Sequence, residues 1–322
     1  MQYGNHSSAK IHSDVIWQGL TEDITWGRVV VLHKSAARMV KHLRISPVSV
    51  PESTDKLRVI LDLSFGKGGE NDDFAGVNGD TWFEKAPKSE TGEVMPNILR
   101  RICALRQAVG PEVPTYTSKM DVKDAFRRVH IAWEGAPTFA YLVRESIVID
   151  YRLPFGWRNP RGWWANSASG ICHAHCNTNI RNAVVLPNAR VIAKEVRVVQ
   201  PPVSALAVCA PPGVLVAPLT TDPLDGEFDG EMYVDDMIAT EACKRGNEAR
   251  LLVATESTIS DHLRMLGNSA DNPVPVMSAK KLTNWVCAQE ILGFIIDTQT
   301  MRISVPLRKI AETRGMLEEW PL

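Results

Sequence analysis

"GEMYVDDMIAT", Gly230–Thr240, sets two adjacent aspartates among apolar neighbours. Tyr233, Val234, Met237 and Ile238 favour extended backbone on either side, and the acid pair falls where a hairpin would turn. Burying bare carboxylates beside a core is costly, so they need a turn open to water, a basic partner or a metal ion. A plain Asp-Asp turn meets the first of these conditions, since Asp is common in turns. The rest of the chain bears on which condition applies.

A second aspartate with strand-like neighbours, Asp121, lies far upstream in "YTSKMDVKDAF", so any partnership with Asp235 must come from the fold. Strand-borne carboxylates that converge are a usual way to hold two divalent cations about 3.5–4 Å apart for in-line phosphoryl transfer. Mg²⁺ prefers carboxylate oxygens, water and substrate phosphates, and two or three aspartates suffice for it.

The chain has 322 residues, 44% hydrophobic and 23% charged, enough for one large domain or two modest ones with a real core. Its net charge of −1 gives no global pull toward nucleic acid, but the charge is clustered. Acids gather at Asp222, Asp225, Glu227, Asp229 and Glu231, and bases at Lys34, Arg38, Lys41 and Arg44, a spacing that would line one helical face. Further bases stand at Arg100, Arg101 and Arg106, and at Arg127, Arg128, Arg158 and Arg161. The six cysteines are scattered except for "CHAHC", Cys172–Cys176, and suggest a reduced, intracellular protein, cytoplasmic or nuclear and not secreted. Adjacent Cys and His on a helix point to different faces, and no second pair follows at zinc-finger spacing, so that motif reads as helix packing. The N-terminus lacks the apolar core of a signal peptide. The longest apolar run is broken by Pro211, Pro212 and Gly213, so no membrane span and no membrane partner are expected.

Along the chain, "RVVVLH" reads as a strand leading into a basic helix, and "ISPVSVPESTDKLRVILDLS" as two strands around a polar turn. "MPNILRRICALRQAVG" predicts a helix with Pro96 at its first position, an apolar stripe of Ile98, Ile102, Leu105 and Val109, and Gly110 as its stop. "TFAYLV" and "SIVIDYRL" predict a hairpin, followed by a Trp-rich helix from about Pro160. Residues 186–228 are rich in Pro and Val without periodicity and read as an insertion. Residues 247–266 predict a helix with Leu252, Ile259, Leu263 and Leu266 on one face, and "EILGFIIDTQTMRISVP" a final hairpin. Strands and helices in this irregular order fit an α+β domain.

Five blocks in this order resemble the reverse transcriptase domain of retroelements, of the long-terminal-repeat or tyrosine-recombinase kind. They are "KLRVILDLS" (Lys56–Ser64), "MDVKDAF" (Met120–Phe126), "RLPFGWRNPRGWW" (Arg152–Trp164), "YVDD" (Tyr233–Asp236) and "ILGFIIDTQTMRISVPLRK" (Ile291–Lys309). The resemblance implies a polymerase right hand, with an antiparallel palm sheet packed on helices, a fingers subdomain, and a thumb truncated or absent. It divides the chain into 1–116 (fingers and N-terminal extension), 117–290 (palm) and 291–322 (primer-grip hairpin and the start of the thumb or connection). It implies that Asp121 and Asp235 ligate two Mg²⁺ ions, with Mn²⁺ able to substitute, assisted by the Val122 carbonyl and by Asp236. Arg58 matches the arginine that grips the incoming triphosphate, with Lys56 the nearby candidate for a companion lysine. Phe126 matches the aromatic beside the sugar, Phe155 and Gly156 the residues under the nascent base pair, and Leu292 and Gly293 the primer grip. Lys280 or Lys281 is the candidate to protonate pyrophosphate. The implied activity is RNA-directed DNA polymerisation on an RNA or DNA template with a primer, from deoxynucleoside triphosphates. The alternative is a catalytically weak or inactive remnant that folds without extending primers. An RNA-dependent RNA polymerase is disfavoured by YVDD and by Phe126. "WRNPRGWW" departs from the Ser-Pro sequence commoner in the family at that point.

Overall fold

Alternating apolar strands and amphipathic helices give, in a computed structural model describing residues 4–52, 57–66, 76–85, 87–88, 91–202, 222–267 and 275–318, a mixed order of elements. In chain order these are α1 (Ser7–Ile11), α2 (Ser13–Thr25), β1 (Val29–His33), β2 (Val48–Ser49), β3 (Ile60–Leu61), α3 (Val94–Val109) and β4 (Thr115–Asp121). There follow β5 (Ala140–Val143), β6 (Ser146–Asp150), α4 (Pro160–Cys176), α5 (Pro187–Ala193), β7 (Gly230–Tyr233), β8 (Asp236–Ala242) and α6 (Ala249–Leu266). Strands β9 (Ala288–Ile291), β10 (Phe294–Asp297) and β11 (Arg302–Ser304) precede α7 (Leu307–Glu318).

The chain forms two compact units, each built from separated stretches. The first holds the described residues of Met1–Ser89 and Asp124–Asn166. In it β1, β6 and β5 form one antiparallel sheet and β2 pairs with β3. Its core joins Ile16 and Leu20 of α2 to Val48, Leu61, Leu63, Phe139, Tyr141 and Val148. The expected β5–β6 hairpin is present, turning at Arg144 and Glu145. The basic helix is not. Lys34–Met39 is a short 3-10 helix, ended by extended backbone at Val40 and by His42 in the left-handed region at φ 57°. Lys34, Arg38, Lys41 and Arg44 therefore share no helical face; Lys34 pairs with Glu145, and Arg44 with Asp80 at 2.5 Å. Helices α1 and α2 go beyond the elements read from the sequence, although Ile16 and Leu20, four apart, share the buried face of α2.

The second unit holds the described residues of Glu90–Lys123, Ser167–Asn268 and Pro275–Leu322. Strand β8 is central, flanked antiparallel by β4 and β7, while β9, β10 and β11 form a second sheet. Val94, Ile98 and Ile102 of α3 pack with Ile238, Ile291 and Ile296, and Gly110 ends the helix at φ 80°. Pro96 is the helix's third residue rather than its first. The final stretch makes two turns rather than one, since β10 pairs with both β9 and β11. In α6 Ile259 and Leu263 are buried as expected, but Leu252 is 39% exposed, and the buried face widens to take in Leu251, Ala254, Thr258 and His262. Hydrogen bonds make the polar members of that face tolerable. Thr258 Oγ1 donates to the Ala254 carbonyl at 2.7 Å, and Trp285 Nε1 donates to Thr255 Oγ1 at 2.8 Å. Among the described residues no helix is long and apolar enough to cross a membrane. The expected insertion at 186–228 lies partly outside the described residues, and its described part includes α5.

Candidate active site

The hairpin turns at Val234 and Asp235, because Tyr233 pairs with Asp236 across β7 and β8, so only the first aspartate of the pair lies in the turn. Val234 occupies the left-handed region at φ 55°, a conformation that costs a branched residue about 1–3 kcal/mol. The ladder around it holds the strain. Strand β4 pairs with β8 over seven residues from Thr115–Ala242 to Asp121–Asp236, so the last pair sets two carboxylates directly opposite on one face. The Val122 amide donates to the Asp235 carbonyl at 2.9 Å, tying the chain after β4 to the turn.

A further segment closes this end of the sheet. The Ser278 amide donates to the Asp121 carbonyl at 3.0 Å and the Lys123 amide to the Val276 carbonyl at 2.8 Å. The following turn, Ala279–Lys281, then brings Lys281 Nζ to 2.5 Å from Asp121 Oδ1. Lys280 is exposed beside it, so of the two candidate lysines it is Lys281 that reaches the carboxylates. Asp121 is only 4% exposed, and burial holds its carboxyl above the ordinary value against the pull of Lys281. Burial likewise raises Asp236, offset by the charge of Lys119 and reinforced by those of Asp235 and Asp121. Lys281 is held above its ordinary value, because its bond to Asp121 outweighs partial burial. Lys119 belongs to none of the functional positions read from the sequence, although strand alternation from Asp121 puts it on the same face.

The donor set suits a hard cation: carboxylates around a recessed position where positive charge is already held, by Lys281. Among the described residues, however, no three Asp, Glu, His or Cys side chains converge closely enough to hold an ion. A divalent ion at Asp121 would therefore have to displace Lys281.

Behind the hairpin lies a polar core that the sequence patterns do not reveal. Glu241 on β8 accepts the Asp229 amide at 2.7 Å and Arg250 Nη2 at 3.0 Å, and burial pushes its carboxyl up to about 7. Arg250 lies over the Phe228 ring, which stacks on His175. His175 Nδ1 meets Thr258 Oγ1 at 2.7 Å, and burial drives both His175 and His262 down to about 4. "CHAHC" thus packs α4 onto this core: Cys176 Sγ lies 3.6 Å from the Gly230 carbonyl, while His173 faces outward to Asn177.

The first unit gathers the remaining candidates. Phe126, in the 3-10 helix Ala125–Arg128, meets Phe155 edge-on with centroids 6.0 Å apart, and Arg58 Cζ stands 5.9 Å from the Phe155 centroid. Gly156 adopts φ 108°, and a Cβ there would lie 1.9 Å from the Leu61 carbonyl oxygen, so only glycine fits. The Leu61 amide donates to the Phe155 carbonyl at 3.0 Å, and Asn78 Nδ2 to the Gly156 carbonyl at 2.9 Å. Lys56 lies outside the described residues. In the second unit, Leu292 and Gly293 form the β9–β10 turn at φ 48° and 89°, with Leu292 packed on the α3 cluster.

No family model and no curated protein matches the chain. Solved structures of foamy viral protease-reverse transcriptase share its fold. One in complex with double-stranded DNA is 16% identical with a TM-score of 0.54, covering 100% of this chain and 38% of that one. Another, with an RNA/DNA hybrid, is 14% identical with a TM-score of 0.53, covering 97% and 29%. The chain spans less than two fifths of the length of these proteins. Its α+β arrangement of antiparallel sheets and helices is the fold that it shares with part of these structures.

Proposed function

We propose that the chain is the core of an RNA-directed DNA polymerase from a retroelement, adding deoxynucleotides to a primer held on an RNA or DNA template. The observation that carries this reading is the register of β4 on β8, which sets Asp121 opposite Asp236 with Asp235 in the adjoining turn, within a reverse-transcriptase-like fold. The foamy viral proteins were captured with double-stranded DNA and with an RNA/DNA hybrid, and a primer-template of the same kind is the partner inferred here.

Asp121, Asp235 and Asp236, with the Val122 carbonyl, would close around Mg²⁺ or Mn²⁺ once Lys281 moves aside, and the ion when bound lowers the charge barrier to phosphoryl transfer. The chain's own groups do the rest. Arg58 offers a planar guanidinium fork for the triphosphate. Phe126, braced by Phe155, bars a 2′-hydroxyl from the sugar position. Gly156 brings bare backbone beside the new base pair. Lys281, adjacent to Asp121, supplies the proton that pyrophosphate takes up as it leaves. Leu292 and Gly293 present the β9–β10 turn to the primer.

Primer extension by wild type and Asp235→Asn, with Mg²⁺ titrated, tests the reading. Loss of extension in a variant with unchanged melting supports it. Wild-type extension by the folded variant refutes the role of Asp235. The second reading, a remnant that does not extend primers, is favoured by Lys281 sealing Asp121, and it predicts no extension by the wild type at any Mg²⁺ concentration.

A further inference from the structure

The stretch "WRNPRGWW", Trp157–Trp164, departs from the resembled family, and the polymerase reading leaves its tryptophans unused. In the first unit it builds a row of rings from core to surface. Trp157 meets Phe139 edge-on, with centroids 5.4 Å apart, and donates from Nε1 to Thr81 Oγ1 at 3.0 Å. Trp163 stacks on Trp157, nearly parallel at 12° with centroids 6.4 Å apart. It nonetheless stays 40% exposed, whereas Trp164, the next residue, is buried. The start of α4 holds this arrangement. Asn159 Oδ1 accepts the Gly162 amide at 3.1 Å, and Asn159 Nδ2 donates to the Pro87 carbonyl at 3.3 Å. A Cβ on Gly162 would lie 1.9 Å from that same carbonyl oxygen, so only glycine lets the helix begin flush against Pro87.

A second exposed ring stands on the neighbouring segment. Trp82 follows Thr81, whose hydroxyl holds Trp157, and is 70% exposed, with Lys85 Nζ 4.3 Å from its centroid. Large rings carry apolar area that a core would take up, and two of them exposed on adjoining segments mark a binding surface. Charge narrows the class of ligand. Along residues 76–88 and 155–166 the exposed cations include Lys85, Lys88 and Arg161, and the described acids are Asp80, which Arg44 engages, and Glu84. Aromatic faces beside cations suit single-stranded nucleic acid, whose bases stack on rings while its phosphates meet Lys and Arg. A proline-rich peptide also docks on aromatic rings but gives these cations no partner.

We propose that Trp163 and Trp82 form a base-stacking surface for single-stranded nucleic acid, with Arg161, Lys85 and Lys88 on its backbone phosphates. Trp157 and Thr81 brace the rings from behind. Stacking needs only a π-face, so the surface takes DNA or RNA without regard to sequence. The proposal does not rest on polymerase activity, and binding is measured without Mg²⁺ or nucleotides.

The test is equilibrium binding of a labelled single-stranded oligonucleotide to the full chain over a range of salt, beside an abasic strand of the same length. Trp163→Ala should weaken binding of the base-containing strand about 5- to 150-fold at each salt concentration, the range expected when one stacked base is lost. It should leave the abasic strand and the log–log salt slope unchanged, because no phosphate contact is removed. Arg161→Gln should instead lower the slope by about 0.7 on both strands, the value for one phosphate of a single strand. A melting curve for each protein shows whether it is folded. Wild-type affinity of folded Trp163→Ala for the base-containing strand would overturn the proposal, as would an unchanged slope for Arg161→Gln. So would an equal loss on both strands, which makes Trp163 a support for the surface rather than a partner of a base. Trp163-dependent binding of a proline-rich peptide, with no Trp163 effect on the strand, assigns the rings to a protein partner and overturns the proposal as well. Should Trp163→Ala not fold, Trp82→Ala takes its place, at a ring that is 70% exposed. The same base-dependent loss is expected there, and wild-type affinity overturns the proposal.

Discussion

Lys281→Met separates two roles that one side chain can play at Asp121. The lysine is 57% exposed at its side chain and the aspartate only 6%, so the pair is screened from one side. Its worth is set near the surface range, about 1 kcal/mol, rather than at that of a fully buried pair. Removing the ammonium should therefore destabilise the metal-free protein by about 1 kcal/mol. It should also strengthen Mg²⁺ binding about fivefold, because the ion no longer competes with Lys281 for Asp121. If Lys281 is also the proton donor, extension should fall about 100-fold or more at saturating Mg²⁺. Urea unfolding with and without Mg²⁺, calorimetric Mg²⁺ titration and single-turnover extension read these effects independently. Unchanged stability together with unchanged Mg²⁺ affinity would refute the view that Lys281 stands in for a cation. Tighter Mg²⁺ binding with undiminished extension would remove only the proton-donor role.

Three other outcomes are expected. Phe126→Val should admit ribonucleotides while keeping Mg²⁺-dependent extension, and an unchanged ribo-to-deoxynucleotide ratio in an active variant would end the steric-gate assignment. Gly156→Ala should cost about 2–4 kcal/mol from backbone strain and collision with the Leu61 carbonyl, read as a lower urea midpoint; a loss under about 0.5 kcal/mol would contradict that close approach. His175, held near 4 when folded against about 6.5 when unfolded, favours the native state fully above pH 6.5 and loses that advantage as pH falls toward 4, by about 3 kcal/mol. Glu241, raised to about 7, works in the opposite direction, so the difference between wild type and His175→Gln isolates the histidine. If that difference is the same at pH 7.5 and 4.5, the ring is not buried neutral.

The parts legible in the sequence are those with short-range signals. The YVDD turn, the β5–β6 hairpin and the Gly110 stop follow from alternation and from residues suited to turns. The meeting of Asp121 with the Asp235–Asp236 hairpin is accessible only through family resemblance, since nothing local joins strands so far apart, and its register, Asp121 on Asp236, comes from the ladder. Polar burial defeats the periodicity argument in α6, where Thr258 and His262 face inward through hydrogen bonds that an apolar stripe does not register. The basic run after β1 fails as a helix because His42 reverses the chain, a conformation its composition does not announce. Lys119 can be found by counting two residues back from Asp121. Lys281 can be narrowed only to a pair, because the bonds from Asp121 and Lys123 to Ser278 and Val276 decide which lysine arrives.

Strands β7 and β8 are joined by Val234 and Asp235 alone, and side chains switch sides at every step along a strand. The face on which Asp236 stands is set by its pairing with β4, so odd or even length matters inside β8 rather than at the turn. One codon added between Met237 and Ala242 turns Asp236 toward the opposite face from Asp121 unless a bulge absorbs it, although every candidate residue is still encoded. A second added codon restores the side. A natural or engineered copy of this gene can thus lose its opposed carboxylates through an in-frame change that removes no candidate side chain, and a second such change nearby can return them.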